Sequence, residues 1–123
     1  MNNTQRHKTN PFVHGRLSKP HRFVKIYVDN IHLTFLLSQT GLKAFNILLW
    51  SMLHDEKTHQ NSNTIKINQW TLEEFMIKFP EFEISKATFY RGLTELQELH
   101  IIAKSMKIGT YFINTNVIAI GID

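Results

Sequence analysis

Pro80 stops one helical pattern and Ser85 opens the next, so two helices must meet across a turn of a few residues. No other feature of the 123-residue chain constrains its fold as strongly. Thr71 and Glu74 stand in the S/T-x-x-E spacing of a capping box. That spacing predicts a short helix from about residue 72, which Pro80 ends after Phe75, Met76 and Phe79. After Ser85, the apolar residues Phe89, Leu93 and Leu96 fall at i, i+4 and i+7 and define the buried face of the second helix.

The flanking segments extend this frame. Residues 23–28 alternate as a short strand or docking segment, and Asp29 or Asn30 can cap a short helix reaching Leu37. Ser38 and Thr40 offer cap oxygens to a longer helix, in which Leu42, Phe45, Leu48, Leu49, Met52 and Leu53 form the core stripe. A polar loop over residues 57–63 and a short strand over 65–67 follow. Downstream, residues 101–105 and 110–113 are β-prone and are separated by a turn containing Gly109, which predicts a hairpin. The expected fold class is α+β: a winged helix-turn-helix, mostly helical, with a small antiparallel sheet whose hairpin is the wing. Residues 1–22 read as a basic flexible arm, and 23–123 as the folded domain.

Composition narrows the function classes. A hydrophobic fraction of 42% with 20% charged residues is ordinary for a globular domain of this length. The absence of cysteine removes disulfides, thiolate nucleophiles and cysteine-based zinc sites, and it fits a reducing compartment. Apolar runs such as residues 47–50 are far shorter than the ~18 residues of a membrane span, and the basic N-terminus lacks a signal-peptide core. A cytoplasmic protein with no membrane partner is expected. The net charge of +4 is unevenly spread. Residues 1–28 hold Arg6, Lys8, Arg16, Lys19, Arg22 and Lys25 and no acid, whereas the remainder has ten acids against eight basic residues. Exposed bases that displace condensed counterions would direct the arm toward a polyanion.

On the second helix, at 100° per residue, Ala87, Arg91 and Thr94 lie opposite the buried direction, with Thr88 and Tyr90 on the flanks. Lys86 and Arg91 occupy the N-terminal half, while Glu95 and Glu98 sit toward the far end. That polarity suits a helix entering the major groove by its N-terminus. The Arg91 fork can donate twice to guanine, with an i,i+4 pair to Glu95 as the competing arrangement. Ser85 and Thr88 can meet phosphate at the helix start, although capping alone would also account for Ser85. Tyr90 can reach a sugar or phosphate, or pack. Lys104 and Lys107 belong to the wing, and Arg16, Lys19 and Arg22 of the arm can enter a minor groove.

No catalytic apparatus is visible. There is no His-x-His pair of the kind that holds a nicking metal, and no phosphate-binding Gly-x-x-x-x-Gly-Lys loop. Tyr27, Tyr90 and Tyr111 fall in or beside segments expected to pack. His54, Asp55, Glu56 and His59 read as a solvated polar loop, and Glu73 and Glu74 as favourable charge at a helix N-terminus. No cofactor or metal is expected.

The residues 23–27 (Phe-Val-Lys-Ile-Tyr), the Gly41-Leu42-Lys43 opening of the core helix, the Ser85-Lys86-Ala87-Thr88-Phe89 start of the second helix and the run 109–116 (Gly-Thr-Tyr-Phe-Ile-Asn-Thr-Asn) followed by Gly121 resemble RepL-type plasmid replication initiators. The resemblance covers roughly residues 23–121, and its tail is the most specific part. It implies a winged-helix protein that binds the double-stranded origin of its own plasmid and admits host replication proteins. DNA contact is implied for Lys86, Thr88 and Arg91, and a wing role for Lys107. A plasmid- or phage-borne winged-helix transcriptional regulator and a protein-interaction module are the alternative readings. A homodimer is compatible with the sequence, with no long heptad seam to require one.

Overall fold

The computed structural model describes Arg6 and residues 8–12, 22–54 and 63–122. Strand β1 (Arg22–Ile26) leads through a 3-10 turn at Val28–Asn30 into α1 (His32–Phe35) and α2 (Gln39–His54). Strand β2 (Thr64–Lys66), helix α3 (Gln69–Lys78) and helix α4 (Lys86–Glu98) follow. The chain closes with β3 (Ile102–Lys104), β4 (Thr110–Ile113) and β5 (Ile118–Ile122). One antiparallel sheet has the order β2-β4-β3, and β5 returns to pair antiparallel with β1. The fold is α+β, and the run α2, β2, α3, α4, hairpin fits a winged helix-turn-helix.

Helix α4 forms where expected. Ser85 is its N-cap, with Oγ accepting from the Thr88 amide at 3.1 Å, and Phe89, Leu93 and Leu96 are buried. The buried face of α2 is rotated from the predicted stripe. Gly41, Ala44, Ile47 and Ser51 share it with Phe45, Leu48 and Met52, while Leu42 is exposed and Leu49 and Leu53 are only half-buried. The reason lies in the partner helix. A Cβ at Gly92 of α4 would sit 2.6 Å from both the Ala44 Cβ and the Thr40 carbonyl oxygen, so the two backbones approach too closely for large side chains. Small residues form the seam, and the large ones flank it.

Other boundaries differ for equally local reasons. Helix α3 begins at Gln69, not near residue 72, because Asn68 outcompetes Thr71 as the cap. Asn68 Oδ1 accepts from the amides of Trp70 (2.9 Å) and Thr71 (3.3 Å), while Thr71 Oγ1 accepts from the Asn68 amide at 3.1 Å. Thr71 thus completes the box as its inner member, and Glu74 is left exposed. Neither Asp29 nor Asn30 caps α1, which ends at Phe35 and not at Leu37. Asn30 Nδ2 instead donates to the Asn116 carbonyl at 2.8 Å, tying the segment after β1 to the turn before β5. Strand β1 starts at Arg22, so a residue assigned to the arm belongs to the sheet, opposite Ile122.

Gly92→Ala should cost about 1–3 kcal/mol through overpacking of the α2–α4 seam, measured by chemical denaturation followed by circular dichroism. Unchanged stability would contradict the close approach.

Candidate nucleic-acid interface

Lys86, Ala87, Arg91 and Thr94 are exposed, and Thr88 and Tyr90 are half-buried, so the face opposite Phe89, Leu93 and Leu96 is the face open to solvent. At its leading end, Ser85 Oγ donates to Thr88 Oγ1 at 2.9 Å while accepting the Thr88 amide. Arg91 Nη2 donates to the same Thr88 Oγ1 at 3.3 Å. The guanidinium is thereby drawn back toward the N-terminus of α4, the direction in which helical side chains lean. Thr88 Oγ1 accepts from both neighbours and keeps its own proton to donate outward. Ser85 is occupied as a cap.

The competing Arg91–Glu95 pair does not form. Glu95 Oε2 accepts from the Ser38 amide and Oε1 from Ser38 Oγ, both at 2.6 Å. Ser38 Oγ in turn accepts from the Gly41 amide at 3.2 Å. The carboxylate therefore sits at the N-terminus of α2, where free amides and the helix dipole favour an anion. Gly41 makes room for it, since a Cβ there would collide with the carboxylate. Among the described residues the Arg91 guanidinium makes no ion pair and is left facing solvent.

Tyr90 meets Phe89 edge-on, with ring centroids 5.4 Å apart, and packs against the core. It also lies near Tyr111 of β4, whose phenol is pushed above its ordinary value by burial and then by Tyr90. Thr94 spends its hydroxyl proton on the Tyr90 carbonyl at 3.1 Å, leaving only acceptor capacity. Lys104 and Lys107 are exposed on the hairpin. Lys104 is registered against Tyr111, so its side chain leaves the sheet on the Tyr111 face, the side toward α4. Lys66, paired with Thr110, is exposed on the opposite face.

Charge is unevenly distributed along the described chain. Glu73 and Glu74 of α3 and Glu81 and Glu83 of the turn are exposed, whereas residues 99–122 contain no acid. Arg16 and Lys19 lie outside the described residues, as do Asp55, Glu56 and His59. Of that polar group His54 alone is described, stacked on Trp50 at 4.9 Å. Among the described residues there is no group of three or more His, Asp or Glu that could hold a metal, and no helix long and apolar enough to cross a membrane.

Sequence reasoning missed three features. Glu95 acts between helices, which no spacing within one helix reveals. Lys66 joins the basic residues of the sheet. Met106 and Ile108, fully exposed at the hairpin tip, interrupt an otherwise polar turn, and that apolar pair was a signal legible in the sequence.

No family model matches the chain, and no solved structure matches it. A curated "20.9 kDa protein" from Zymomonas mobilis subsp. mobilis is 40% identical over 97 residues, covering 78% of this chain. The chain spans about half the length of that relative.

Glu95→Ala should destabilise the domain by about 1–3 kcal/mol, because it strands the Ser38 amide and removes the anion from the start of α2. Thermal and denaturant melts test this. A loss within error would show that Ser38 needs no partner.

Proposed function

We propose that the chain is a non-enzymatic, sequence-specific double-stranded DNA-binding protein that recognises its replicon origin as a plasmid replication initiator. The observation that carries the DNA-binding part is the solvent-facing Arg91, freed of its acidic neighbour by the Glu95–Ser38 bonds. In this reading α4 enters the major groove with its N-terminal half leading. Arg91 reads a guanine through its two-pronged fork, and Lys86 and the Thr88 hydroxyl hold phosphate. Ser85 contributes by fixing the helix start, Ala87 by allowing close approach and Thr94 as an acceptor at the far margin. Tyr90 positions α4 against the hairpin.

Lys104 on the α4 side of the hairpin and Lys107 at its tip extend the contact to neighbouring phosphates. Arg16 and Lys19 add sequence-independent attraction. The exposed acids Glu73 and Glu74 disfavour the face of α3 that carries them, whereas Glu81 and Glu83 stand just before the Ser85 cap and oppose phosphate there. The initiator role rests on the resemblance of the β1, α4 and Asn114–Asn116 regions to RepL-type proteins, with host replication proteins as further partners.

Arg91→Ala should cost about 1–3 kcal/mol at the specific site and relax preference at one base pair. Neutralising Arg16 and Lys19 together should weaken binding to all sequences and shallow the salt dependence. Selection of bound fragments from the source replicon, followed by titration of the enriched duplex, measures both. Enrichment of the origin supports the initiator, and enrichment of a promoter replaces it with a regulator. Equal affinity of Arg91→Ala and the parent protein overturns the readout assignment.

A further inference from the structure

Met106 and Ile108 flank Lys107 at the tip of the β3–β4 hairpin with essentially complete exposure, 103% and 98%. The turn that presents them is tightly bonded. Ser105 Oγ accepts from the Lys107 amide at 3.1 Å and shares its proton between the carbonyls of Lys107 (3.1 Å) and Thr110 (2.8 Å). The Thr110 amide donates to the Lys107 carbonyl at 3.0 Å. Gly109 adopts φ +80°, a conformation costly for other residues, and its carbonyl accepts from the Ile67 amide at 2.8 Å. Two large apolar side chains are thus held out on a braced support, and the domain's own packing uses neither.

The surroundings of this pair favour an anionic partner. Lys107 lies between them, Lys104 ends β3 beside the turn on the side toward α4, and residues 99–122 contain no acid. Polyanion attraction combined with projecting apolar side chains is the chemistry by which minor-groove proteins part neighbouring base pairs. We propose, resting on the DNA-binding reading above, that Met106 and Ile108 form a wedge. It enters the minor groove beside the α4 site and unstacks a base step, while Lys107 holds the flanking phosphate. The kink is directed to pyrimidine–purine steps, whose stacking is the easiest to open. The hairpin then reads deformability where α4 reads base edges.

The full chain is titrated at low salt into short A·T-rich duplexes that carry 2-aminopurine at successive positions and a fluorophore pair at the ends. The expected result is a position-dependent rise in 2-aminopurine emission with shortening of the end-to-end distance. Met106→Ala/Ile108→Ala should abolish both signals, keep the thermal melt and change affinity by less than about tenfold. Lys107→Ala should weaken binding but leave the unstacking signal at saturation. Binding by the parent protein without unstacking, or unstacking that survives in the double variant, overturns the wedge and leaves the DNA-binding reading intact. Absence of any duplex binding removes both. In a parallel arm, vesicles of phosphatidylcholine and phosphatidylglycerol are tested. Retention that depends on Met106 and Ile108, with silent 2-aminopurine, assigns the tip to lipid and overturns the proposal.

Discussion

The outward face of α4 exists because α2 and α4 cross at backbone contact. Gly92 lies against Ala44 and the Thr40 carbonyl, and no side chain fits between them. Close crossing brings Glu95 to the N-terminus of α2, within reach of Ser38, while Phe89, Leu93 and Leu96 are sealed on the inner side. A wider crossing would cost dispersion contacts along the seam and also detach the carboxylate from the amides it satisfies. Packing and electrostatics at this seam are therefore one constraint. Gly41 and Gly92 meet it from the two helices.

Its consequence appears one helical turn away. In an isolated helix Glu95 and Arg91 would attract each other, an interaction worth about 0.3–0.5 kcal/mol at an exposed i,i+4 spacing. Two bonds at 2.6 Å to Ser38, one from a backbone amide at a helix start, outweigh that pairing. The acid is spent on the fold, and among the described residues the base is left without an ion pair. The arrangement holds the Glu95 carboxylate by hydrogen bonds at the start of α2, so the Arg91 guanidinium bonds to Thr88 instead of to it.

The sequence made the element order legible as far as the hairpin because each boundary has local chemistry: Ser85 as a cap, Pro80 as a stop, Gly109 at the hairpin turn; β5 and its return to β1 were not expected. The solvent face of α4 was equally legible, since Phe89, Leu93 and Leu96 fix the helix rotation without reference to any partner. The face of α2 was not. Its buried direction is set by where α4 can approach, and small residues such as Ala44 and Ser51 carry little weight in a hydrophobic stripe although they mark the seam. Thr71 shows a related limit. Its spacing to Glu74 and its spacing to Asn68 both satisfy capping logic, and the burial that leaves Thr71 only 8% exposed decides between them by requiring its hydroxyl to be bonded inward. Asn114 illustrates the same point in the tail. Its side chain donates to the His100 carbonyl at 2.8 Å and accepts from the Asn116 amide at 3.0 Å, so the Asn-x-Asn run turns the chain from β4 into β5. That motif serves the architecture rather than the candidate interface.

Rigidity differs in origin between the two parts of the proposed interface, and this bears on what each can recognise. Helix α4 is fixed by burial: the inward face supplies the energy, and the outward residues are positioned to the accuracy of a packed core. The hairpin tip has no core beneath it and is fixed by hydrogen bonds through Ser105 and by the left-handed backbone at Gly109. A helix seated in this way suits a static pattern of donors and acceptors. A braced loop with projecting apolar groups suits a target that must itself deform. On the proposed reading, placing the two side by side with Tyr90 and Tyr111 at their junction couples base readout to duplex distortion, because neither element can shift along the DNA without the other.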